Sequence, residues 1–331
     1  MIRSVDMQSD EIAIVCYSVI SCCFSLLVIG TILFFPAMKK GHFMPIILYM
    51  SWSDFGINVA SAFGFPASGT PLCWIQGLMQ NLFALSSWFW TTILTYRVYC
   101  FVRYGKCKLK KRHMHLIGWG LPIFLTFIPI TTTDYGANES QSQSCIYVRR
   151  GDSATWLVPF WSYVTFFFWL FLCLLLMVLW QVIIFFKYRA SPLKGVISRT
   201  YDKVYLYPIA MCICWSICYW CDLLATHDTP LVDTLSVVFG ISNGVLSALI
   251  FMFKSEEARR RWKTYFNPPK QNNFDDFVEP PIQLDFEDDY QSDTNFTSNT
   301  AYTDKTSISN ASELDMTDLS GAHLHHSPLH A

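Results

Sequence analysis

Two cysteines, an aspartate, an asparagine and an arginine carry most of the chemistry open to this 331-residue chain. Asp54, Asn243 and Arg97 each lie inside a long apolar run. Polar groups in hydrocarbon are costly, and by default they mark function. At ~1.5 Å of helix rise per residue, Asp54 and Asn243 each fall about 15 Å from the end of their runs. Both reach the same depth, so they are expected to form a polar switch, a hydrated network with room for a sodium ion. The plainer alternative is a buried aspartic acid bonded to Ser and Asn neighbours, with no switching role. Arg97 falls about 36 Å beyond Cys73 by the same rise. There it could hold a bundle closed, contact a partner, or snorkel to headgroups. Catalysis finds no comparable set. The eight histidines, at 42, 113, 115, 227, 323, 325, 326 and 330, all lie at run edges, in loops or in the tail. No Ser-His-Asp triad or metal set assembles at depth, so neither an enzyme nor a bound metal is expected. No lysine stands between Leu231 and Phe253 to form a retinal Schiff base. No cofactor is called for.

The elements that must position these residues are membrane spans. Apolar residues make up 52% of the chain and charged ones only 15%, well below the quarter usual for soluble domains. A spanning helix needs ~20 mainly apolar residues. Seven stretches qualify, at roughly 11–36, 44–65, 74–102, 115–131, 155–187, 204–226 and 231–253. The expected fold is an all-α membrane protein, a seven-transmembrane helix bundle, with residues 11–253 as the bundle and 1–10 as a short extracellular N-terminus. No cleavable signal precedes the first span, which must insert itself. Pro122, Pro129 and Pro208 predict kinks where neighbours re-satisfy the freed carbonyls. No matching halves of the kind common in transporters are visible across the spans.

Lysine and arginine orient the bundle. Twenty bases fall in the loops and tail of one side, against Arg3, Arg149 and Arg150 on the other. The richer side is cytoplasmic, so the N-terminus faces out and the C-terminus faces in, in a multi-pass protein of the plasma membrane. Nucleic-acid binding is a poor reading of this basic body, because its bases lie between apolar runs. The outer loop then carries a glycosylation sequon at Asn138. Of twelve cysteines, only Cys73 and Cys145 lie outside, where an oxidising compartment permits their pairing. A bridge would pin the longest outer loop over the mouth; two free thiols are the alternative. Around that mouth Gln76, Asn81, Arg149, Arg150, Trp156, Tyr219 and Asp222 could line an aromatic ligand pocket bearing both charge signs. The Trp and Tyr could equally form an interfacial belt.

On the inner side, Arg97, Arg103, Lys106, Lys187 and Lys203 could form a basic crevice. Residues 254–266 read as an amphipathic membrane-surface helix, opened by Ser255 and two glutamates, with Ala258, Trp262, Tyr265 and Phe266 on one face. The tail, 267–331, holds twelve acids against two lysines and reads as disordered. Ser292, Thr294, Thr297, Ser298, Ser312 and Thr317 stand among those acids as phosphorylation candidates for acid-directed kinases. A plain solvated tail is the alternative.

In its order of features the chain resembles a G-protein-coupled receptor. It is similar to the cyclic-AMP-receptor-like (class E-like) group, which includes slime-mould chemotaxis receptors and related orphan receptors. The resemblance spans about 42–266. It rests on Leu48-x-x-Ser51-x-Ser53-Asp54, Cys73-x-x-Gln76-Gly77, Ser86-Ser87-Trp88-Phe89-Trp90-Thr91 and His115-x-x-x-Trp119-Gly120-x-Pro122. Pro208 with Cys214-Trp215, and Gly240-x-x-Asn243 with Ile250-Phe251, add to it. The resemblance implies capture of an extracellular ligand, coupling to a heterotrimeric G protein, a Cys73–Cys145 bridge, and kinases and arrestin-like proteins at the tail. Thr95-Tyr96-Arg97 stands in place of the Asp-Arg-Tyr of rhodopsin-like receptors, and Asn243-Gly244 in place of their Asn-Pro. An anionic nucleotide needs a basic pocket, whereas span six offers Asp222, so the ligand stays open. The rival functions are a seven-span transporter or channel, and a non-signalling structural membrane protein.

Overall fold

Long apolar runs in hydrocarbon must satisfy their own backbone groups, and helices do this within one segment. In the computed structural model of the chain, which describes residues 2–41, 43–137, 145–151, 154–190, 204–224 and 230–268, seven long helices form a bundle. Helix α1 runs Ile2–Phe34, α2 Met44–Ser61 and α3 Pro71–Tyr104. Helix α4 covers Lys111–Thr131 and α5 begins at Leu157 and continues to Ala190. Helices α6, Leu206–Leu224, and α7, Pro230–Lys254, complete the set. An eighth helix, α8, spans Glu256–Phe266. By contact the chain divides into Met1–Lys270 and Gln271–Ala331; the second unit lies outside the described residues.

The bundle carries large apolar side chains on its outer surface and a set of polar groups within an otherwise apolar interior. Phe171 is 61% exposed and Leu116 65%, while Asp54, Asn58, Ser86, Ser87 and Asn243 are buried. Four helices, α1, α4, α5 and α7, are long and apolar enough by composition to cross a membrane. Helices α2 and α3 are more polar because they fill the interior: α3 touches α2, α4, α5 and α6. Two aromatic layers pack around it. One holds Trp90 with Tyr49 and Trp119. The other sets Trp88 of α3 edge-on against Trp215 of α6, with ring centres 4.8 Å apart.

The prolines behave differently from one another. Leu116–Gly120 is wound as a π-helix just before Pro122, and Ile128–Thr131 tightens to a 3-10 turn at Pro129, so α4 is interrupted at both. Near Pro208 the helical path is broken at Tyr205, between helical Val204 and the start of α6 at Leu206. A second π segment, Tyr163–Phe167, interrupts α5.

The loop between α4 and α5 forms a short hairpin within the otherwise helical fold. Strands β1, Thr133–Ala137, and β2, Cys145–Arg149, pair antiparallel, with Tyr135 opposite Tyr147. At the other end Ser255 caps α8, its hydroxyl accepting from the Ala258 N–H at 3.3 Å. Trp262 of α8 then donates to Thr31 of α1 at 3.2 Å and stacks on Phe34. The amphipathic face is thus partly seated on the end of α1.

Candidate functional site

At the bundle centre, Asp54 is 2% exposed. Its Oδ1 accepts hydrogen bonds from the Ser87 hydroxyl at 2.7 Å and the Asn243 amide at 3.0 Å. Three helices, α2, α3 and α7, meet at one oxygen. Beside it, Asn58 of α2 donates to Ser21 of α1 at 2.8 Å, and Ser21 donates to the Ile241 carbonyl of α7 at 3.1 Å. Gly244 explains how these groups approach. A Cβ there would meet Asn58 Nδ2 at 2.8 Å and Ser21 Oγ at 2.9 Å. Among the described residues, Asp54 Oδ2 and Asn243 Oδ1 have no hydrogen-bond partner. Depth along the spans anticipates Asp54 and Asn243; it did not single out Ser87, although Ser87 lies at similar depth.

The mouth is built on α3. Thr70 caps that helix, its hydroxyl accepting from the Cys73 N–H at 3.3 Å, which places Cys73 in the first turn. Cys73 is bonded to Cys145, with Cα atoms 5.4 Å apart. The bond draws the β1–β2 hairpin down into the bundle, where Tyr135 and Tyr147 are buried. A Cβ at Gly77 would meet the Tyr135 ring at 2.6 Å and the Cys145 carbonyl at 2.8 Å, so only glycine admits this close approach.

Proton bookkeeping around the two phenols closes. The Asn81 amide donates to the Tyr135 hydroxyl at 3.2 Å and also to the Tyr147 hydroxyl. Tyr135 then donates to the Thr126 carbonyl of α4 at 3.2 Å. Tyr147 donates to Thr165 Oγ1 at 3.1 Å, because the Thr165 proton is committed to the Trp161 carbonyl at 2.7 Å. Each phenol accepts once and donates once. Burial, then the neighbouring Tyr147, pushes the Tyr135 phenol well up, and burial does the same to Tyr147. Both therefore stay neutral donors. The hairpin is a polar plug tying α3, α4 and α5 together.

Most of the expected pocket residues have other tasks. Gln76 is 1% exposed and donates to the carbonyls of Ala60 at 3.1 Å and Gly64 at 2.7 Å, fastening the end of α2 to α3. Asn81 serves the plug. Arg149 and Arg150 are exposed at the end of the hairpin, and Trp156 is exposed too. Tyr219 is half-buried on α6, its ring 5.8 Å from Phe167 of α5. Asp222 lies on α6, with its side chain outside the described residues. Tyr135, Tyr147 and Thr165, which the sequence alone does not single out, join the hairpin to α3, α4 and α5. For Tyr147 the signal in the sequence is the β-branched and aromatic run Ile146-Tyr147-Val148; Tyr135 and Thr165 carry none.

At the opposite end, Arg97 is half-buried near the end of α3, while Arg103, Lys106 and Lys187 are exposed at the ends of α3 and α5. Lys203, the Asn138 sequon and the six tail hydroxyls from Ser292 to Thr317 lie outside the described residues. Among the described residues, no group of three or more metal-binding side chains forms.

No protein-family model matches the chain, and no curated protein matches it. Among solved structures it is similar to the crystal structure of squid rhodopsin, at 18% identity and a TM-score of 0.59. The match covers 79% of this chain and 81% of that one. The fold is therefore the seven-helix membrane bundle of that protein.

Proposed function

We propose that the chain is a G-protein-coupled receptor of the cyclic-AMP-receptor-like group, carrying an extracellular signal to a heterotrimeric G protein at the plasma membrane. The observation that carries this reading is the Asp54–Ser87–Asn243 contact. Three helices meet at one oxygen of a buried carboxyl, so a shift of one helix against the others would exchange these hydrogen bonds, and a ligand would signal by binding one arrangement more tightly. The charge bias of the loops supports an extracellular N-terminus and a cytoplasmic C-terminus, and a disulfide at the mouth suits that exposure.

In this reading the hairpin relays the signal. A ligand reaching the rim at Arg149 and Arg150 acts on the plug, and the plug acts on α3, α4 and α5. Within, Arg97, Arg103, Lys106, Lys187 and Lys203 offer cations to the G protein. The acidic tail, once phosphorylated, would present an anionic ligand to arrestin-like proteins.

The test is guanine-nucleotide exchange on a panel of G-protein alpha subunits, using membranes that express the chain beside Asp54→Asn and Cys145→Ser. Exchange above empty membranes, shifted about threefold or more by either variant, supports the receptor reading. Equal exchange in all four samples, at matched surface expression, would sink it.

A further inference from the structure

The far end of α3 carries a pair of thiols that takes no part in the bundle centre or its mouth. About 40 Å of helix separates Cys100 from Cys73, more than the ~30 Å of a hydrocarbon core. Cys100 therefore lies at the face opposite the mouth, which the charge bias of the loops reads as cytoplasmic. There α3 ends, because Gly105 takes a left-handed backbone with φ 72° and its N–H bonds to the Phe101 carbonyl at 2.9 Å. In an unbroken helix Cys107 would stand ~10 Å along the axis from Cys100. The turn instead folds the chain back, and the Cys107 thiol meets the Cys100 thiol, which also accepts from the Tyr96 hydroxyl. Cys100 is buried, whereas Cys107 is half-buried between the exposed Lys106 and Lys108. Tyr96 packs in turn on Trp180 of α5, with ring centres 5.1 Å apart.

We propose that Cys100 and Cys107 form a reversible disulfide, made by hydrogen peroxide and undone by cellular thiols, which clamps the chain after α3 onto its last turns. One thiol is open and its neighbour is sheltered, the arrangement of a sensor cysteine beside a resolving one. Disulfides in a reducing compartment are of this transient kind. The two sulfurs must close from contact to the ~2.05 Å of a bond. The turn can yield that movement, since Gly105 has open space around it and Lys106 is exposed. In the first step the Cys107 sulfur attacks one peroxide oxygen and the O–O bond breaks. The departing hydroxide takes the thiol proton as water, leaving Cys107 a sulfenic acid. The Cys100 sulfur then attacks that sulfur, and its proton leaves with the hydroxyl as a second water. Two thiols lose two electrons, and the peroxide gains them. The closed loop would contain Arg103 and Lys106, and Arg97 lies one turn before Cys100. The effect on signalling therefore rests on the receptor reading above, whereas the bridge does not.

The test uses the full chain in membranes opened to both faces. After a pulse of hydrogen peroxide, remaining thiols are blocked with N-ethylmaleimide and the protein is cut with trypsin without reduction. Trypsin cuts after Arg97, Arg103, Lys106 and Lys108, so a bridge joins 98–103 to 107–108 as a pair of peptides that a reductant separates. The joined pair should rise about tenfold over the unoxidised sample and fall back with glutathione. It should be absent in Cys100→Ser and in Cys107→Ser. Cys107 carrying a sulfinic acid or a glutathione adduct, with Cys100 still alkylated, overturns the bridge, as does Cys107 alkylated throughout. Nucleotide exchange is read on the same membranes. It should fall about fivefold on oxidation and recover on reduction, with Cys107→Ser unresponsive. A joined pair with exchange unchanged overturns the clamp. A joined pair in a protein that drives no exchange, oxidised or reduced, keeps the bridge and removes the receptor reading; exchange without the joined pair does the reverse.

Discussion

Asn81 has one amide nitrogen and two protons, and the hairpin uses both. Replacing it by Leu would leave two buried phenol oxygens short of a donor, each costing ~1–3 kcal/mol. The expected outcome for Asn81→Leu is a thermal midpoint several degrees lower in detergent, with Tyr147→Phe losing less because only the Thr165 bond and one acceptor go. Equal midpoints for Asn81→Leu and the parent would refute the plug's polar latch. Gly77→Ala should act on the same assembly through bulk, since the colliding Cys145 carbonyl is backbone and cannot swing aside. It should raise the fraction of unpaired Cys73 thiol, measured by maleimide labelling. At this scale the sequence was half legible. Asp54 and Asn243 could be paired from depth alone. Gln76 and Asn81 were visible as polar residues near the mouth, but their partners sit on a backbone turn and a hairpin whose courses no local pattern fixes.

Helix α8 shows how one short element is held. Its glutamates lie at the positive end of the helix, and Glu257 takes both Arg260 at 2.7 Å and Arg261 at 2.6 Å. Partial burial raises the Glu257 carboxyl, but the hydrogen bonds and charges of the two arginines outweigh it and hold it below its ordinary value. A carboxyl lowered by folding contributes stability that is present above its unfolded pKa and lost as pH falls through the folded one. The pair is largely exposed, so salt screens it. A nitroxide at position 263 should therefore gain mobility as pH falls through the acid range, more so at low salt. Glu257→Gln should already be mobile at neutral pH; identical spectra across that range would refute the account. The start and aromatic face of α8 were legible because a cap residue followed by acids, and an i, i+4 apolar face, are local patterns. The hairpin was not, since a few β-branched and aromatic residues compete with a long, otherwise featureless loop.

For the molecule as a whole, the Cys73–Cys145 bond closes a loop with a sequence separation of 72. Chain-entropy reasoning gives at most about 4 kcal/mol for such a loop, less in a membrane where the unfolded chain is already confined. Reduction, or the double variant Cys73→Ser/Cys145→Ser, should lower the thermal midpoint and expose Tyr135 and Tyr147 to iodination. Unchanged iodination would mean the plug seats itself without its tether. The spans were legible along the chain, because hydrocarbon thickness demands a minimum apolar length of a crossing helix. Which loop the disulfide draws over the mouth was legible too; the hairpin that loop forms, and how deeply its two tyrosines enter, were not.

The crossed indoles of Trp88 and Trp215 belong to different helices, α3 and α6. Held rigidly at right angles in the interior, two such chromophores couple their electronic transitions, and the coupling changes steeply with their mutual angle. If α6 swings against α3, the near-ultraviolet circular dichroism of this protein should change in shape as well as in size. Trp215→Phe should flatten that band while leaving the far-ultraviolet helical signal alone. The bundle thus carries an optical protractor between two of its helices, readable without any dye.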